Sequence, residues 1–362
     1  MDILENVPLA PYTTFKIGGP SRWFCEASSL EEIKTALNFA QLRQLPVFVL
    51  GGGSNLLVSD RGFEGLVLKI NLLGKEKIKQ DESGVWLKVA SGENWDQVVS
   101  WAVGRGWWGA ENLSHIPGSC GAIAVQNVGA YGQEASRLVE SVAVYDTSSQ
   151  SLVEIENASC GFAYRRSIFN SSQKGRYIIL YLTLRLSLLP APILEYRDLK
   201  ERFKGRLPGL EEVREAVIKI RNSKYPFPQA AKNGNAGSFF KNLSLNQTEY
   251  AELLSKVEAA FGAGQAVGLD KKKFADGEGR VKLPAAALIE LCGLKDLKYG
   301  GAKINHAQPL VIVNETGLAT ASDVLHLAGE VVSVVRQKLG LNLNLEPILL
   351  GFTAEELKSV EI

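Results

Sequence analysis

The stretch that decides the fold is residues 47–57, which read VFVLGGGSNLL. The four apolar residues Val47 to Leu50 predict a short buried strand, and three glycines follow it directly. Glycine lets backbone N–H groups approach a ligand that any Cβ would hold away, and successive exposed amides favour anionic oxygens such as those of a pyrophosphate. The pattern predicts a backbone anion site at the end of a strand, although a plain glycine turn explains it equally well.

Two familiar phosphate-binding motifs do not match this stretch. A P-loop needs a Lys and a Ser or Thr after its last glycine, and no Lys follows here. A dinucleotide-binding fingerprint needs a third glycine where this chain has Leu56. An anion site at 51–57 would therefore belong to a different kind of nucleotide-binding fold.

A second glycine-rich stretch covers residues 116–132 and reads IPGSCGAIAVQNVGAYG. It combines permissive glycines with uncharged polar side chains, among them the amides of Gln126 and Asn127, which can both donate and accept hydrogen bonds. A tight loop between strands would explain this stretch by itself. Two such loops in one half of a chain favour a shared, phosphate-bearing ligand.

Composition excludes several classes of protein. The chain has 362 residues, of which 46% are hydrophobic and 22% charged, and a formal net charge of +1 that offers no basic surplus to a nucleic acid. No apolar run reaches the ~18–20 residues of a membrane helix, and the N-terminus lacks the pattern of a signal peptide. Four scattered cysteines show no metal-ligand spacing. We expect a cytoplasmic protein without disulfides, bound metal, membrane insertion or a nucleic-acid partner.

The pattern of elements changes along the chain. The first half alternates helical and strand signals, which predicts an α+β domain, and a proline-rich zone follows between Pro190 and Pro228. Beyond it, the apolar spacing over 250–261 predicts an amphipathic helix, and Ser322 is predicted to cap another that ends at Gly340. We therefore predict a second domain over 227–328, with residues 329–362 returning to the first.

Five motifs occur in a fixed order: GGGSNLL at 51–57, IPGSCGAIAVQNVGAYG at 116–132, FAYRRSIF at 162–169, NGNAGSFFKN at 233–242 and LEP at 345–347. This set resembles the UDP-N-acetylenolpyruvoylglucosamine reductases, flavoenzymes of bacterial peptidoglycan precursor synthesis. The resemblance covers nearly the whole chain. It implies an α+β fold with an FAD-binding module of the vanillyl-alcohol-oxidase (PCMH) type and a separate C-terminal α+β substrate-binding domain. It makes 1–65 and 66–226 the two FAD-binding subdomains.

The resemblance also implies a reaction and a cofactor site. Members of the family reduce UDP-N-acetylglucosamine enolpyruvate to UDP-N-acetylmuramate, with NADPH as the reductant and non-covalently bound FAD as the cofactor. The pyrophosphate of FAD would lie against the backbone of the two glycine clusters. The residues expected to contact FAD are Gly51, Gly52, Gly53, Ser54, Asn55, Leu56, Pro117, Gly118, Ser119, Gly121, Ala122, Gln126, Asn127, Gly129, Ala130 and Tyr131.

Three residues match the catalytic positions of the family. Arg165 would bind the substrate carboxylate with its planar fork of N–H groups and hold the enolate that forms. Ser238 would donate a proton to the neighbouring carbon, and Glu346 would polarise the carboxylate. Each of the three also has a plainer explanation. An arginine here could form a surface ion pair, although that suits Arg166 better than Arg165. Ser238 could belong to a turn that leads into the core, and Glu346 could pair with a buried arginine.

Five further residues match substrate-binding positions, namely Tyr164, Tyr196, Lys224, Asn242 and Gln308. Tyr196 lies in PILEYRDL, which resembles the loop that folds over bound substrate in the longer of the family's two forms. A lysine suits a diphosphate as a point charge, and side-chain amides suit uracil or phosphate oxygens.

Two other functions stay open at this point. One is a flavin oxidase or dehydrogenase on the same FAD module, which often carries a covalent His or Cys linkage. The other is a storage protein for a nucleotide sugar or flavin. The set of Arg165, Ser238 and Glu346 argues against storage, because binding alone needs no proton donor. We expect the protein to be a monomer.

Overall fold

Two compact units make up the chain, and the computed structural model describes residues 1–224, 232–275 and 279–360. The first unit contains Met1–Val7, Ser21–Gly53 and Glu64–Phe227, and the second contains Pro8–Pro20, Ser54–Phe63 and Pro228–Ile362.

The described residues form twenty strands, most of them short. In chain order they are β1 (Leu4–Pro8), β2 (Pro20–Ala27), β3 (Val47–Leu50), β4 (Leu56–Val58), β5 (Phe63–Ile70), β6 (Lys75–Asp81), β7 (Gly84–Ala90), β8 (Gly129–Ala130), β9 (Gln133–Glu134), β10 (Val139–Asp146), β11 (Ser151–Glu156), β12 (Tyr177–Leu186), β13 (Gly234–Asn235), β14 (Leu243–Leu245), β15 (Phe274–Ala275), β16 (Val281–Leu283), β17 (Lys298–Tyr299), β18 (Ala302–Ile304), β19 (Ile312–Asn314) and β20 (Ile348–Leu350).

The described residues also form ten α-helices. They are α1 (Leu30–Leu42), α2 (Trp95–Val103), α3 (Cys120–Val125), α4 (Arg197–Arg202), α5 (Leu210–Lys224), α6 (Gln247–Phe261), α7 (Ala263–Asp270), α8 (Ala285–Leu291), α9 (Ala321–Leu339) and α10 (Ala354–Ser359).

The first unit contains two main sheets. One has the order β1-β2-β5-β3, and the other has the order β11-β10-β12-β7-β6. Helix α1 packs its buried Ile33 on the first sheet, where Leu68 of β5 belongs to the same apolar cluster. Helices α2 and α5 share a second cluster with β12, whose Leu182 is fully buried. Apolar burial against these two sheets holds the unit together.

The strand before the three glycines is present, but the prediction that it is buried was wrong. Strand β3 is at the edge of its sheet, where it pairs in parallel with β5 only. Val47 and Val49 are 37% and 40% exposed, whereas Leu50 is buried. Successive side chains of a strand point to opposite faces, so one face of this edge strand remains in solvent.

The second unit is built around one apolar core. Helices α6, α8 and α9 contribute Leu253, Leu288 and Val331 to it, and Phe15 and Leu57 come from early in the chain. Strand β4 pairs in parallel with β20. Two further sheets have the orders β13-β19-β18-β17 and β14-β16-β15. The amphipathic helix predicted over 250–261 is confirmed as part of α6.

The N-cap of helix α9 lies two residues before the predicted cap. Thr320 is the N-cap: its Oγ1 accepts a hydrogen bond from the Asp323 N–H at 3.0 Å, and Asp323 Oδ2 accepts one from the Thr320 N–H at 3.0 Å. Asp60 accepts two more, from the N–H groups of Ala321 and Ser322 at 2.8 and 2.9 Å. The prediction of Ser322 as the cap was therefore wrong, because a Thr and a distant Asp satisfy the first turn.

The predicted four-part division differs from the two units. The first unit joins most of the predicted subdomains 1–65 and 66–226, whereas the second joins 227–328 with 329–362 and with two short pieces of 1–65. The predicted boundary at 226–227 lies outside the described residues. The four-part division remains a prediction.

Two features bear on the class of protein. The cysteines Cys25, Cys120, Cys160 and Cys292 are free and buried. Among the described residues, no helix combines the length and the apolar character that crossing a bilayer requires.

Glu111 is a fully buried acid in the first unit. Its Oε2 accepts a hydrogen bond from the Gly109 N–H at 2.6 Å, and its Oε1 has no hydrogen-bond partner among the described residues. Burial raises the pKa of this carboxyl above its usual range, and hydrogen bonds from the N–H groups of Glu111 and Gly109 oppose that shift only in part.

We expect Glu111→Gln to stabilise the protein increasingly as the pH rises. Because the folded pKa is raised, the folded protein keeps a proton that the unfolded chain releases above about pH 4.3, so wild-type stability falls with rising pH. The glutamine does not titrate and still offers an oxygen to Gly109. Thermal midpoints at about pH 5 and about pH 8 measure the difference. The exposed Glu252→Gln in α6 is the control, and an equal gap at both pH values would contradict the expectation.

Candidate active site

The two glycine-rich loops contact each other in the first unit. A Cβ added to Gly52 would stand 2.5 Å from Gly118 Cα and 2.9 Å from its carbonyl carbon. One added to Gly51 would stand 2.5 Å from Ser119 Oγ. The contact of Gly52 is with backbone, which cannot move aside as a side chain can. The loop after β3 and the loop before α3 therefore meet as bare backbone.

Backbone hydrogen bonds fix the second loop. The Cys120 N–H donates to the Glu93 carbonyl oxygen at 2.8 Å, and the Gly121 N–H donates to the Ser91 carbonyl oxygen at 2.9 Å. These two N–H groups hold the loop to the segment that follows β7. The predicted contact of Gly121 with FAD remains a prediction, and the structure gives its N–H a role within the protein.

Cys120 and His115, which lie in or next to this loop, are buried or hydrogen-bonded within the protein. Cys120 is fully buried, and burial raises the pKa of its thiol far above the usual range, which suppresses the reactive thiolate. His115 donates its backbone N–H to Asp96 Oδ1 at 2.6 Å, and its Nε2 lies 3.0 Å from Asn222 Oδ1. Within the described ranges, no group of three or more His, Cys, Asp or Glu side chains is placed to hold a metal ion.

Asn127 joins the second glycine cluster to the segment that carries Arg165. Its Nδ2 donates to Glu134 Oε2 at 3.0 Å and to the Ala163 carbonyl oxygen at 3.1 Å, and its Oδ1 accepts from the Ser136 N–H at 2.9 Å. Both hydrogens of this buried amide are thus used within the protein. Asn127 braces the site, and its predicted contact with FAD remains a prediction.

Arg165 lies in a tight turn. Ala163 and Arg166 exchange backbone hydrogen bonds of 2.9 and 3.1 Å, with Tyr164 and Arg165 between them. The φ of Arg165 is 54°, a left-handed conformation that costs a non-glycine residue about 1 kcal/mol or more. Its Nη2 donates to the Gly129 carbonyl oxygen at 3.2 Å. Arg165 is half-buried and Arg166 is exposed, as expected from the sequence.

Three predicted binding residues lie together in the first unit. The rings of Tyr131 and Tyr196 meet edge to face with centroids 4.9 Å apart. Lys224 Nζ lies 5.6 and 5.5 Å from these two ring centroids, within the range of a cation–π contact. The same Nζ is 2.5 Å from Asp198 Oδ2. The structure therefore brings together the second glycine cluster, residues 192–199 around Tyr196 (the tyrosine loop) and Lys224 at the end of α5.

Sequence reasoning missed two members of this group, Asn112 and Asp198. Asn112 is buried, and its Nδ2 donates to the carbonyl oxygens of Tyr131 at 2.7 Å and Ile193 at 2.8 Å, which ties the second cluster to the segment leading to Tyr196. Asp198 stands two residues after Tyr196, and its position within LEYRDL is a signal that could have marked it. The pairing of either side chain is visible only in the folded chain.

In the second unit, the segments that carry Ser238 and Glu346 lie side by side. The Glu346 N–H donates to the Phe239 carbonyl oxygen at 2.9 Å, and Phe240 forms an antiparallel bridge with Leu345. Both predicted catalytic side chains are half-buried. Two of the three predicted catalytic residues are therefore held by one short ladder of backbone hydrogen bonds.

Asn55 and Leu56 belong to the same unit. Asn55 Nδ2 donates to the Glu346 carbonyl oxygen at 3.2 Å, and its own carbonyl oxygen accepts from the Ile348 N–H at 3.0 Å. Leu56 begins β4 and is buried. Asn55 thus supports the backbone of Glu346, and the predicted contacts of Ser54, Asn55 and Leu56 with FAD remain predictions.

The two remaining predicted substrate residues lie near this ladder. Asn242 Oδ1 accepts a hydrogen bond from the Ala285 N–H at 3.1 Å, at the start of α8. Gln308 is in a turn that also contains Leu310, whose carbonyl oxygen accepts from the Phe239 N–H at 2.6 Å. The second unit therefore brings the segments of Ser238, Glu346 and Gln308 together, and it uses Asn242 partly to cap a helix.

We expect Gly52→Ala to destabilise the protein by about 1–3 kcal/mol, the usual effect of overpacking, because the new methyl group meets the backbone of Gly118. The control is Gly104→Ala in the same unit, where the Cβ would stand 3.4 Å from the Ser100 carbonyl oxygen, an ordinary contact. Urea unfolding of both variants measures the effect. Equal midpoints for the two variants would show that the loops separate easily.

Two family models match the chain. Residues 22–154 match the FAD binding domain family, and residues 228–350 match the UDP-N-acetylenolpyruvoylglucosamine reductase, C-terminal domain family. These matches confirm the predicted fold class in its two parts, an FAD-binding module and a separate C-terminal domain.

Single relatives align over nearly the full length. UDP-N-acetylenolpyruvoylglucosamine reductases from Amoebophilus asiaticus and Neisseria meningitidis serogroup B are 38% and 37% identical, over 96% and 95% of this chain and 98% and 96% of their own. The crystal structure of the Thermus caldophilus reductase matches with a TM-score of 0.62 at 26% identity, over 96% of this chain and 98% of that one. The chain belongs to the UDP-N-acetylenolpyruvoylglucosamine reductase family.

Proposed function

We propose that this protein reduces UDP-N-acetylglucosamine enolpyruvate to UDP-N-acetylmuramate, with NADPH as the reductant and FAD as the cofactor, in peptidoglycan precursor synthesis. The observation that carries the proposal is the 38% identity to a reductase of this name over 96% of the chain. The two catalytic segments that meet in the second unit and the tyrosine–lysine group of the first unit support it.

The glycine backbone fits an FAD. Gly52 and Gly118 carry no side chains where they meet, and backbone without side chains allows the close approach that a pyrophosphate needs. We assign FAD binding to the predicted residues between Gly51 and Leu56 and between Pro117 and Tyr131. When bound, FAD supplies the two-electron redox chemistry that links NADPH to the enolpyruvyl substrate.

Arg165 holds the enolpyruvyl carboxylate in this proposal. Its guanidinium is always charged and presents parallel N–H groups to a carboxylate. The tight turn and the bond to the Gly129 carbonyl oxygen fix its backbone and one end of its fork before substrate arrives. Preorganised donors that face a developing negative charge are typically worth roughly 2.7–4 kcal/mol each.

Ser238 donates the proton, and Glu346 polarises the substrate carboxylate. The Glu346 N–H donates to the carbonyl oxygen of Phe239, the residue after Ser238, so the backbone segments that carry the two side chains are held together. Tyr164, Tyr196, Lys224, Asn242 and Gln308 bind the remainder of the nucleotide sugar in this proposal.

We also infer that the protein works as a monomer in the cytoplasm, on small-molecule substrates alone. Four free, buried cysteines suit a reducing compartment. The formal net charge of +1 gives no basic surplus for a nucleic acid.

An absorption spectrum of the purified protein tests the function. We expect a yellow protein whose flavin is released by acid, whose absorption bleaches with NADPH under anaerobic conditions, and whose colour returns when the enolpyruvyl substrate is added. Recovery with oxygen but not with that substrate would instead identify an oxidase. A flavin that NADPH does not bleach would identify a storage protein.

We expect Ser238→Ala to leave bleaching by NADPH nearly intact. The return of colour on adding substrate should slow by about 10²–10⁴, the usual contribution of a general acid. Stopped-flow absorbance measures both steps separately. The matched control is Ser255→Ala, an exposed serine of α6 whose Oγ bonds only its own helix among the described residues. Equal losses in the two steps would contradict the proton-donor role.

A further inference from the structure

We propose that Asp198 determines substrate affinity, because it competes with the diphosphate of the substrate for Lys224. This inference rests on the proposed function, which assigns Lys224 to the diphosphate. Asp198 would hold the lysine while the site is empty, and the diphosphate would replace Asp198 on binding. The class of ligand is a nucleoside diphosphate.

The ion pair is short and partly shielded from solvent. Lys224 Nζ lies 2.5 Å from Asp198 Oδ2, and the two side chains are 26% and 33% exposed. The rings of Tyr131 and Tyr196 lie 5.6 and 5.5 Å from the same Nζ. Because the carboxylate and both rings surround one ammonium group, an incoming anion meets a cation that is already neutralised.

Packing fixes the distance between the two charges. Asp198 is in the first turn of α4, and Lys224 is the last residue of α5. Leu199 of α4 and Phe203, the residue that caps its C-terminus, share a buried cluster with Val213 and Val217 of α5. The two helices therefore hold the carboxylate beside the ammonium, whereas a surface pair on flexible chains would be held only by its own weak attraction.

The charges of Asp198 and Lys224 predict in which direction the affinity for the diphosphate changes. A diphosphate carries negative charge, so it is repelled by Asp198 and attracted by Lys224 at the same place. Removing the Asp198 charge removes the repulsion and leaves the lysine in position. Asp198 also lies two residues from Tyr196, whose ring contacts the same Lys224 Nζ.

The test is Asp198→Asn, which keeps the shape of the side chain and an oxygen that can accept from Lys224 Nζ. Asparagine is also acceptable in the first turn of a helix. We expect the KM for the enolpyruvyl substrate and the Kd for UDP, measured by calorimetry, to fall about three- to fivefold, the scale of a partly exposed charge pair. The kcat should change much less than the KM.

The matched control is Glu201→Gln in the same helix. It removes the same charge, but Glu201 pairs with Arg197 at 3.0 Å on the exposed side of α4. We expect its KM and Kd to stay at the wild-type values. If KM and Kd fell equally in both variants, the change in net charge alone would explain the effect, and the proposal would be overturned.

Two other results would also overturn it. A higher KM and Kd in Asp198→Asn would show that Asp198 positions Lys224 for the substrate, and unchanged values would show that the pair does not compete with the diphosphate. UDP binding is measured without turnover. A wild-type protein that binds UDP but does not reduce the enolpyruvyl compound would therefore refute the proposed function, while the UDP affinity of Asp198→Asn still decides the competition.

Discussion

The close approach of backbone to backbone at Gly52 and Gly118 is the constraint on which the first unit depends. A single methyl group at Gly52 would stand 2.5 Å from Gly118 Cα. From this contact the second loop leads to Asn127, which braces the turn of Arg165. The same loop ends at Tyr131, whose ring meets that of Tyr196. The second glycine-rich loop, the turn of Arg165 and the segment of Tyr196 are thus connected by contacts within one unit.

Local backbone geometry, more than long helices or strands, positions the predicted catalytic residues. Arg165 occupies a two-residue turn with a left-handed φ of 54°, and the backbone of Glu346 is held by hydrogen bonds to Phe239 and Asn55. Such positions are defined by several hydrogen bonds at once, which is how a strained or isolated residue keeps one conformation.

The sequence predicted best what depends on local pattern. The apolar spacing over 250–261 predicted α6, and a left-handed Gly340 with φ of 73° ends α9 as predicted. The prediction that Ser322 caps α9 was wrong: Thr320 is the N-cap, and Asp60, far away in the chain, accepts from two N–H groups of the first turn. The prediction that β3 is buried was wrong because the order of strands in the sheet places β3 at an edge.

Site residues were predictable only where a motif carried them. The resemblance named Arg165, Ser238 and Glu346, and the structure brings the segments of the last two together. Asn112 lies outside the motifs and Asp198 lies inside one, but neither could be recognised as part of the group, because the partners of the amide and the carboxylate are far along the chain. Burial and pairing of polar groups are tertiary properties, and local propensity does not encode them.

The parallel pairing of β4 with β20 has a consequence for how this protein can be made and divided. Leu56–Val58 and Ile348–Leu350 are separated by most of the polypeptide, yet they form one ladder beside the core that also takes in Phe15. During translation, that ladder cannot close until the ribosome has released the last strand. A gene fragment that encodes only the C-terminal part would leave an unpaired strand edge and an apolar hollow, both of which promote aggregation.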